Sequence, residues 1–261
     1  MASERDISTR FLLWREDIMS AVMFLTQVPV AGAPPVMPRA LRALPLAGGV
    51  IGLIGAIVLI GAKSIGLASL VSAILALAAM AYLTGALHED GLADTADGFG
   101  GGHDIGQKLS IMHDSRLGSY GAVALIIAFT LRAALLADIV SFASATEAAF
   151  ILIAALALGR LGAVFILGAL PAAREDGLGT SAGRPDIKIA TSASIAAGLL
   201  LLPVLFTAGV WATLTALLVA AIALTALCRL AMAQIGGQTG DVAGAAVILV
   251  ETGFLIGISA V

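Results

Sequence analysis

The sequence predicts an all-α integral membrane protein: a polytopic bundle of about seven transmembrane helices with an amphipathic helix near the N-terminus. Three observations predict it. Of 261 residues, 60% are hydrophobic and 12% charged, with a mean hydropathy of +1.06, whereas soluble domains run at about 45–50% apolar and about 25% charged. Apolar stretches of about 20 residues, enough to cross a bilayer, recur along the chain. Basic residues gather at alternate ends of those stretches, as they do in multi-pass proteins.

The elements follow in order. Phe11, Trp14, Ile18, Val22 and Leu25 recur at helical spacing beside Arg10, Arg15, Glu16 and Asp17, which predicts an interfacial helix over residues 10–30. Ala31-Gly32-Ala33 imitates a signal-peptidase site. A secretory leader is excluded because Glu4, Asp6, Glu16 and Asp17 mix with the arginines and Thr26, Gln27 and Pro29 interrupt the apolar run. Spans are expected at 42–62, 64–87, 119–141, 146–170, 189–208, 210–233 and 242–261, in a single membrane domain over residues 1–261. Gly48, Gly52 and Gly55 share a face of the first span and predict close helix packing.

Charge sets the topology. Arg5, Arg10, Arg15, Arg39, Arg42, Lys108, Arg116, Arg174, Arg184, Lys188 and Arg229 fall at one set of ends, and only Lys63 at the other. The basic side is cytoplasmic by the positive-inside rule. Within the spans, Arg132, Arg160 and Glu251 are charges that demand a partner or a wet cavity, and Asp138 lies near a span end. A helix-locking ion pair and a substrate-binding group are equal readings of the first three. A net charge of −3 and a pI near 5.5 speak against a nucleic-acid surface. The one cysteine, Cys228, permits no intrachain disulfide and reads as a buried hydrophobe.

The chemistry concentrates at residues 88–118, an acidic loop predicted on the cytoplasmic side. Six of the seventeen acidic residues (Glu89, Asp90, Asp94, Asp97, Asp104, Asp114) and all three histidines (His88, His103, His113) lie there. Asp90, Asp94 and Asp97 stand at i, i+4 and i+7, one face of a helix, where like charges repel unless a cation neutralises them. Carboxylates outnumber imidazoles and no Cys/His pattern appears, so Mg²⁺ is expected ahead of Zn²⁺. Gly98-Phe99-Gly100-Gly101-Gly102 reads as a flexible turn admitting a ligand, followed by Lys108, Ser115 and Arg116. Together these describe a metal–diphosphate site for phosphoryl transfer. His88 and His113 are each a general base, a phosphate ligand or a plain helix-end residue. A second patch, Gly236-Gly237-Gln238-Thr239-Gly240-Asp241, offers Thr239 as a helix cap and Asp241 as a further ligand. A third, Arg174-Glu175-Asp176-Gly177-Leu178-Gly179-Thr180, reads as ordinary loop.

Residues His88-Glu89-Asp90-Gly91-Leu92-Ala93-Asp94-Thr95-Ala96-Asp97-Gly98, with Ile111-Met112-His113-Asp114-Ser115-Arg116-Leu117-Gly118-Ser119-Tyr120-Gly121, resemble the cobalamin synthase family, also called adenosylcobinamide-GDP ribazoletransferase or cobalamin 5′-phosphate synthase. Phe24-Leu25-Thr26-Gln27-Val28-Pro29-Val30 and residues 236–241 extend the resemblance to nearly the whole chain. Gln27 and His113 stand where the family pattern favours a basic residue. The resemblance implies a multi-pass bacterial inner-membrane enzyme completing coenzyme B12. A hydroxyl of α-ribazole, or of its 5′-phosphate, attacks the cobinamide-side phosphate of adenosylcobinamide-GDP and GMP leaves. It further implies Mg²⁺ on Asp90, Asp94, Asp97 and Asp114, with one of these carboxylates or His88 taking the proton. Glu89, Lys108, Ser115, Arg116, Thr239 and Asp241 are then the substrate-binding candidates, and a homo-oligomer stays open. Two rivals remain. Asp94-x-x-Asp97-Gly98 overlaps the CDP-alcohol phosphotransferase pattern, and Asp90-x-x-x-Asp94 resembles a prenyl-diphosphate site. A transporter would instead use Arg132, Arg160 and Glu251 to line a path, but no internal repeat is evident.

Overall fold

The computed structural model describes residues 4–29, 38–174 and 183–261. Among them, ten α-helices account for nearly all regular structure: α1 (Glu4–Leu25), α2 (Leu44–Ser64), α3 (Ser69–Thr84), α4 (Leu87–Gly101), α5 (Ile105–Met112), α6 (Ser119–Phe142), α7 (Ala145–Ala169), α8 (Ile187–Thr207), α9 (Val210–Ile235) and α10 (Gly240–Ser259). A 3₁₀ turn at Arg39–Ala43 leads into α2, whose first turn accommodates Pro45. The only strand-like feature of the described residues is an isolated bridge between Ala172 and Gln238. Val30, Ala31-Gly32-Ala33 and Glu175–Thr180 lie outside the described residues.

The bundle is built around α10 and α7. In their most apolar stretches 83% and 78% of residues are buried, against 22% in α8. Their sequences show why. Gly244-Ala245-Ala246 in α10 and Ala154-Ala155 in α7 carry little side chain on any face, so neighbouring backbones close in around them. The outer helices keep large aliphatic and aromatic side chains exposed, including Ile126 and Ile127 of α6, Leu199 and Phe206 of α8 and Trp211 and Leu218 of α9. Such a surface suits hydrocarbon, not water. The expected glycine face on α2 is present. A methyl group at Gly52 would lie 2.8 Å from the Ile153 Cα and 2.9 Å from the Leu152 carbonyl oxygen, so α2 and α7 touch backbone to backbone there.

Among the described residues six helices are each long and apolar enough to cross a membrane, which makes this a multi-pass helical membrane protein. The span expected at 64–87 takes another form. α3 has 16 residues, roughly 24 Å of helix against a hydrocarbon core of about 30 Å. The chain then turns by 90° into α4, which therefore runs along one end of the bundle. The break is made by Gly85 and Ala86, both in the left-handed region at φ +61° and +56°. Gln27 closes over it, its backbone N–H donating to the Leu83 carbonyl at 2.9 Å. Its side-chain amide occupies the space a Cβ at Gly85 would need, so the segment after α1 and the bend fix each other.

Two expectations are corrected. The interfacial helix does not run to residue 30 but ends at Leu25. Its Asp17 is wholly buried, accepting from Arg39 Nε at 2.7 Å and Arg42 Nε at 2.6 Å, and Arg42 also stacks over the Trp14 ring. The stretch 88–118 is not a loop but largely the two helices α4 and α5, and Gly98–Gly101 lie inside α4 instead of forming a turn.

Gly52→Leu should lower detergent-solubilised thermal stability by about 1–3 kcal/mol, because α7 backbone has nowhere to move. Gly61, with nothing within 4 Å of its would-be Cβ, is the control: Gly61→Leu should leave the melting temperature nearly unchanged.

Candidate active site along α4

α4 carries charge on three sides and sends each to a different neighbour. Its first turn points inward. His88 and Glu89 are buried, and Glu89 accepts from Arg132 of α6 at 3.2 Å. Arg132 also lies 3.5 Å from Glu251 of α10, which pairs in turn with Arg160 of α7. Each arginine adds a bond to its own helix, Arg132 Nε to the Ala128 carbonyl and Arg160 to that of Leu156, both at 3.3 Å. Four helices are thus tied by two acids and two arginines with no excess charge. The ion-pair reading of Arg132, Arg160 and Glu251 is therefore realised, with Glu89 as a fourth member that sequence reasoning had placed on substrate. Burial, reinforced by Arg160 and then Arg132, holds the His88 imidazole well below its ordinary pKa and hence neutral.

The far end of α4 points at α6. Asp97, also buried, accepts from the Gly118 N–H at 2.7 Å and the Gly121 N–H at 2.8 Å. These are orphan donors at the start of α6, where a negative charge is favoured by the helix dipole. A side chain at either glycine would collide with the Asp97 carboxylate, so the two glycines of the Leu117–Gly121 stretch exist to admit it. The glycine run of α4 serves packing in the same way. Met112 covers Gly98, the Tyr120 ring covers Gly100, and Lys108 covers Gly102. The run makes room for the protein's own side chains, not for a ligand.

Asp90 and Asp94 remain on the third side, facing the head of α10. Gly91 makes this approach close: a methyl there would lie 2.8 Å from the Asp241 carbonyl oxygen. The Thr239 hydroxyl accepts from the Val242 N–H at 3.3 Å, capping α10, and lies 3.1 Å from an Asp241 carboxylate oxygen. Residues 171–174 are clipped alongside, the Gln238 N–H donating to the Pro171 carbonyl at 2.8 Å and Ala173 N–H to that of Gln238 at 2.9 Å. That clip brings Arg174 to 3.4 Å from Asp241. Arg174, read from sequence as ordinary loop, is the cation of this corner; only the folded clip reveals it. Burial, then Asp90, Asp241 and Asp97, pushes the Asp94 carboxyl up to about 7, with Arg174 opposing.

Other predicted residues lie apart from this corner. Asp114 forms an exposed pair with Arg116 at 2.5 Å, which lowers its pKa, and Ser115 is exposed beside it. Lys108 reaches across to Gln234 at the end of α9. A cavity of about 110 Å³ opens beside the corner, lined by His88, Asp90, Arg160 and Asp241 and by apolar residues of α1, α2, α4, α7 and α10.

Among the described residues no three carboxylates or histidines form a ready-made metal cage. Asp97 is engaged by the α6 amides and Asp114 by Arg116. Asp90, Asp94 and Asp241 remain, and their mutual repulsion at Asp94 is a deficit of positive charge. Such a corner fits a hydrated Mg²⁺ held by one to three carboxylates and completed by substrate phosphates, more than a Zn²⁺ needing a full protein shell.

The family model described as Cobalamin-5-phosphate synthase matches residues 17–259. Curated relatives described as adenosylcobinamide-GDP ribazoletransferase include that of Azorhizobium caulinodans, 49% identical over 93% of this chain and 94% of the relative. Those of Xanthobacter autotrophicus and Sinorhizobium medicae are 44% and 42% identical, over 93% and 92% of this chain and 95% and 94% of their own lengths. No solved structure matches the chain.

The raised Asp94 pKa has a sign that can be measured. A carboxyl protonated more readily in the fold than in the unfolded chain adds no penalty below the ordinary carboxylate range. The fold then loses stability as pH rises toward about 7. Without divalent cation, Asp94→Asn should therefore raise the melting temperature at pH 8 and leave it unchanged at pH 4. Added Mg²⁺ should stabilise the parent protein at pH 8 and not the variant.

Proposed function

The chain belongs to the cobalamin-5-phosphate synthase family, and on that premise we propose that it transfers the cobinamide phosphate of adenosylcobinamide-GDP to α-ribazole or its 5′-phosphate, releasing GMP, with Mg²⁺ as cofactor. It is a membrane transferase of cobalamin biosynthesis. The observation that carries the site assignment is the carboxylate corner of Asp90, Asp94 and Asp241 beside a cavity at one end of the bundle. That end is also where Arg39, Arg42, Lys108, Arg116 and Arg174 collect, while Lys63 sits at the opposite end of α2. The charge asymmetry supports a site facing the cytoplasm across the bacterial inner membrane.

In this reading an acceptor hydroxyl oxygen bonds to the cobinamide-side phosphorus. The bond from that phosphorus to the bridging oxygen breaks, GMP carries the electron pair away, and the acceptor proton is lost. Asp90, Asp94 and Asp241 would hold Mg²⁺, which supplies charge neutralisation for the diphosphate and leaving group when bound. The acceptor proton would pass to one of the carboxylates of this corner. His88, enclosed between two arginines, is neutral and positions the cavity wall instead. Arg174 offsets charge at Asp241. Asp97 and Glu89 act through the fold, Asp97 by fixing the head of α6 and Glu89 by anchoring α4. A CDP-alcohol or prenyl-diphosphate substrate is set aside by the family match and not by the geometry of this corner. A transporter path through Arg132, Arg160 and Glu251 loses its basis, because these charges pair with one another and with Glu89.

The test is GMP release by the solubilised protein given adenosylcobinamide-GDP and α-ribazole phosphate, with and without Mg²⁺. Release should require Mg²⁺ and be accompanied by a cobalamin product. Asp90→Ala and Asp94→Ala should each lower it on the order of a hundred-fold or more while the protein stays folded. Full activity in both variants would remove the corner from the mechanism.

A further inference from the structure

The cavity beside the carboxylate corner has a composition unlike that of a phosphate site. Its walls are chiefly aliphatic and aromatic: Phe24 of α1, Leu44 of α2, and Ala163 and Leu167 of α7. Arg160 also lines it. The Arg160 side chain is 3% exposed, and its Nε is buried with no hydrogen-bond partner, although Nη1 pairs with Glu251 and donates to the Leu156 carbonyl. A buried donor left unpaired costs about 1–3 kcal/mol, so a ligand that accepts from it recovers that amount. Asp90 and Asp241 line the cavity as well, and carboxylates take hydroxyl donors.

We propose that this cavity is the acceptor subsite: it takes the base of the acceptor nucleoside, an uncharged apolar heteroaromatic ring with one hydrogen-bond acceptor, and leaves the ribose hydroxyls at Asp90 and Asp241. The proposal rests on the transferase reading and names the substrate half that the cavity selects. Chemistry and volume decide between the two substrates. A space of about 110 Å³ admits a bicyclic ring and excludes a macrocycle. The guanine of the donor carries an amide and an amino group, and the apolar walls made by Phe24, Leu44, Ala163 and Leu167 offer these no partner. A base buried here also places its sugar beside the carboxylates that hold the reacting diphosphate, so one cavity both chooses the acceptor and aims its hydroxyl. It accounts for Phe24 and Leu25, both cavity-lining residues of the Phe24–Val30 stretch, whose role the carboxylate chemistry leaves open.

The experiment uses the full-length protein in detergent and two nucleosides of matched size. One bears benzimidazole, with a single free ring nitrogen, and the other adenine, with an added amino group and further ring nitrogens. The parent protein should favour the benzimidazole nucleoside by about ten-fold or more in kcat/KM, since buried unpaired polar groups discriminate strongly. Ala163→Leu, which fills the cavity, should raise KM for that nucleoside by about ten-fold while KM for adenosylcobinamide-GDP changes by less than about two-fold. Leu167→Ala, which enlarges the cavity, should shift preference toward a nucleoside with a tricyclic base, and it carries the test should the first variant misfold. Equal use of both nucleosides, or an effect of the variants on adenosylcobinamide-GDP instead, overturns the subsite. Absence of any transfer by the parent protein overturns the underlying transferase reading, which is a separate result.

Discussion

Charge buried away from water is the constraint on which the rest of this structure depends. An arginine or glutamate inside a bundle costs several kcal/mol unless it is paired, and breaking such a pair by removing one partner costs about 3–5 kcal/mol. Here Glu89, Arg132, Glu251 and Arg160 close that account among themselves. Each comes from a different helix, so none of α4, α6, α7 or α10 can rotate without stranding a charge. α4 needs such an anchor more than the others. It is polar, rich in glycine, and set at 90° to the helix before it, so neither propensity nor an apolar stripe would hold it in register.

Once α4 is anchored by its first turn, helical geometry decides the fate of its other acids. Residues one position apart lie about 100° apart around the helix, so Glu89 and Asp90 cannot serve the same neighbour. Glu89 goes inward and Asp90 to the cavity. Asp94 and Asp97 then diverge by a smaller angle, enough for Asp97 to meet the α6 amides while Asp94 stays beside Asp241. An i, i+4, i+7 row of aspartates is thereby divided between architecture and chemistry. Gly91, Gly118 and Gly121 are what allow it, because each lets a backbone or carboxylate come within contact where a Cβ would stand.

The helical membrane class, the α2 glycine face and the clustering of acids were legible because they rest on composition and on periodicities of one chain segment. The regularity of α4 was not. Four glycines within 98–102 signal a turn in isolation, and only Met112, Tyr120 and Lys108 folding back over them make a helix the better packed state. Likewise Asp17 looked like a solvated residue of an amphipathic helix, since its partners Arg39 and Arg42 lie more than twenty positions away. Glu89 looked like one more acid of a ligand cluster, and its partner Arg132 lies 43 positions away in sequence. Arg174 needed the Gln238–Pro171 clip to reach Asp241. In each case the missing term was a long-range pairing, which no local pattern encodes.

The placement of the site follows from the same electrostatics. A diphosphate and a divalent ion must keep part of their hydration, so they belong at the end of the bundle, where Asp90 is exposed and Asp94 and Asp241 are half-buried. An apolar ring gains by leaving water, so it belongs against the apolar walls that Leu44, Ala163 and Leu167 give the cavity beside that corner. Arg160 borders the cavity, bound to Glu251 and carrying an unpartnered Nε. The ion network that secures α4 thus also supplies the polar edge of the cavity. A substrate that accepts from Arg160 would complete the one buried arginine that the protein leaves partly unsatisfied within the network, coupling acceptor binding to the stiffness of the helix that carries the carboxylates.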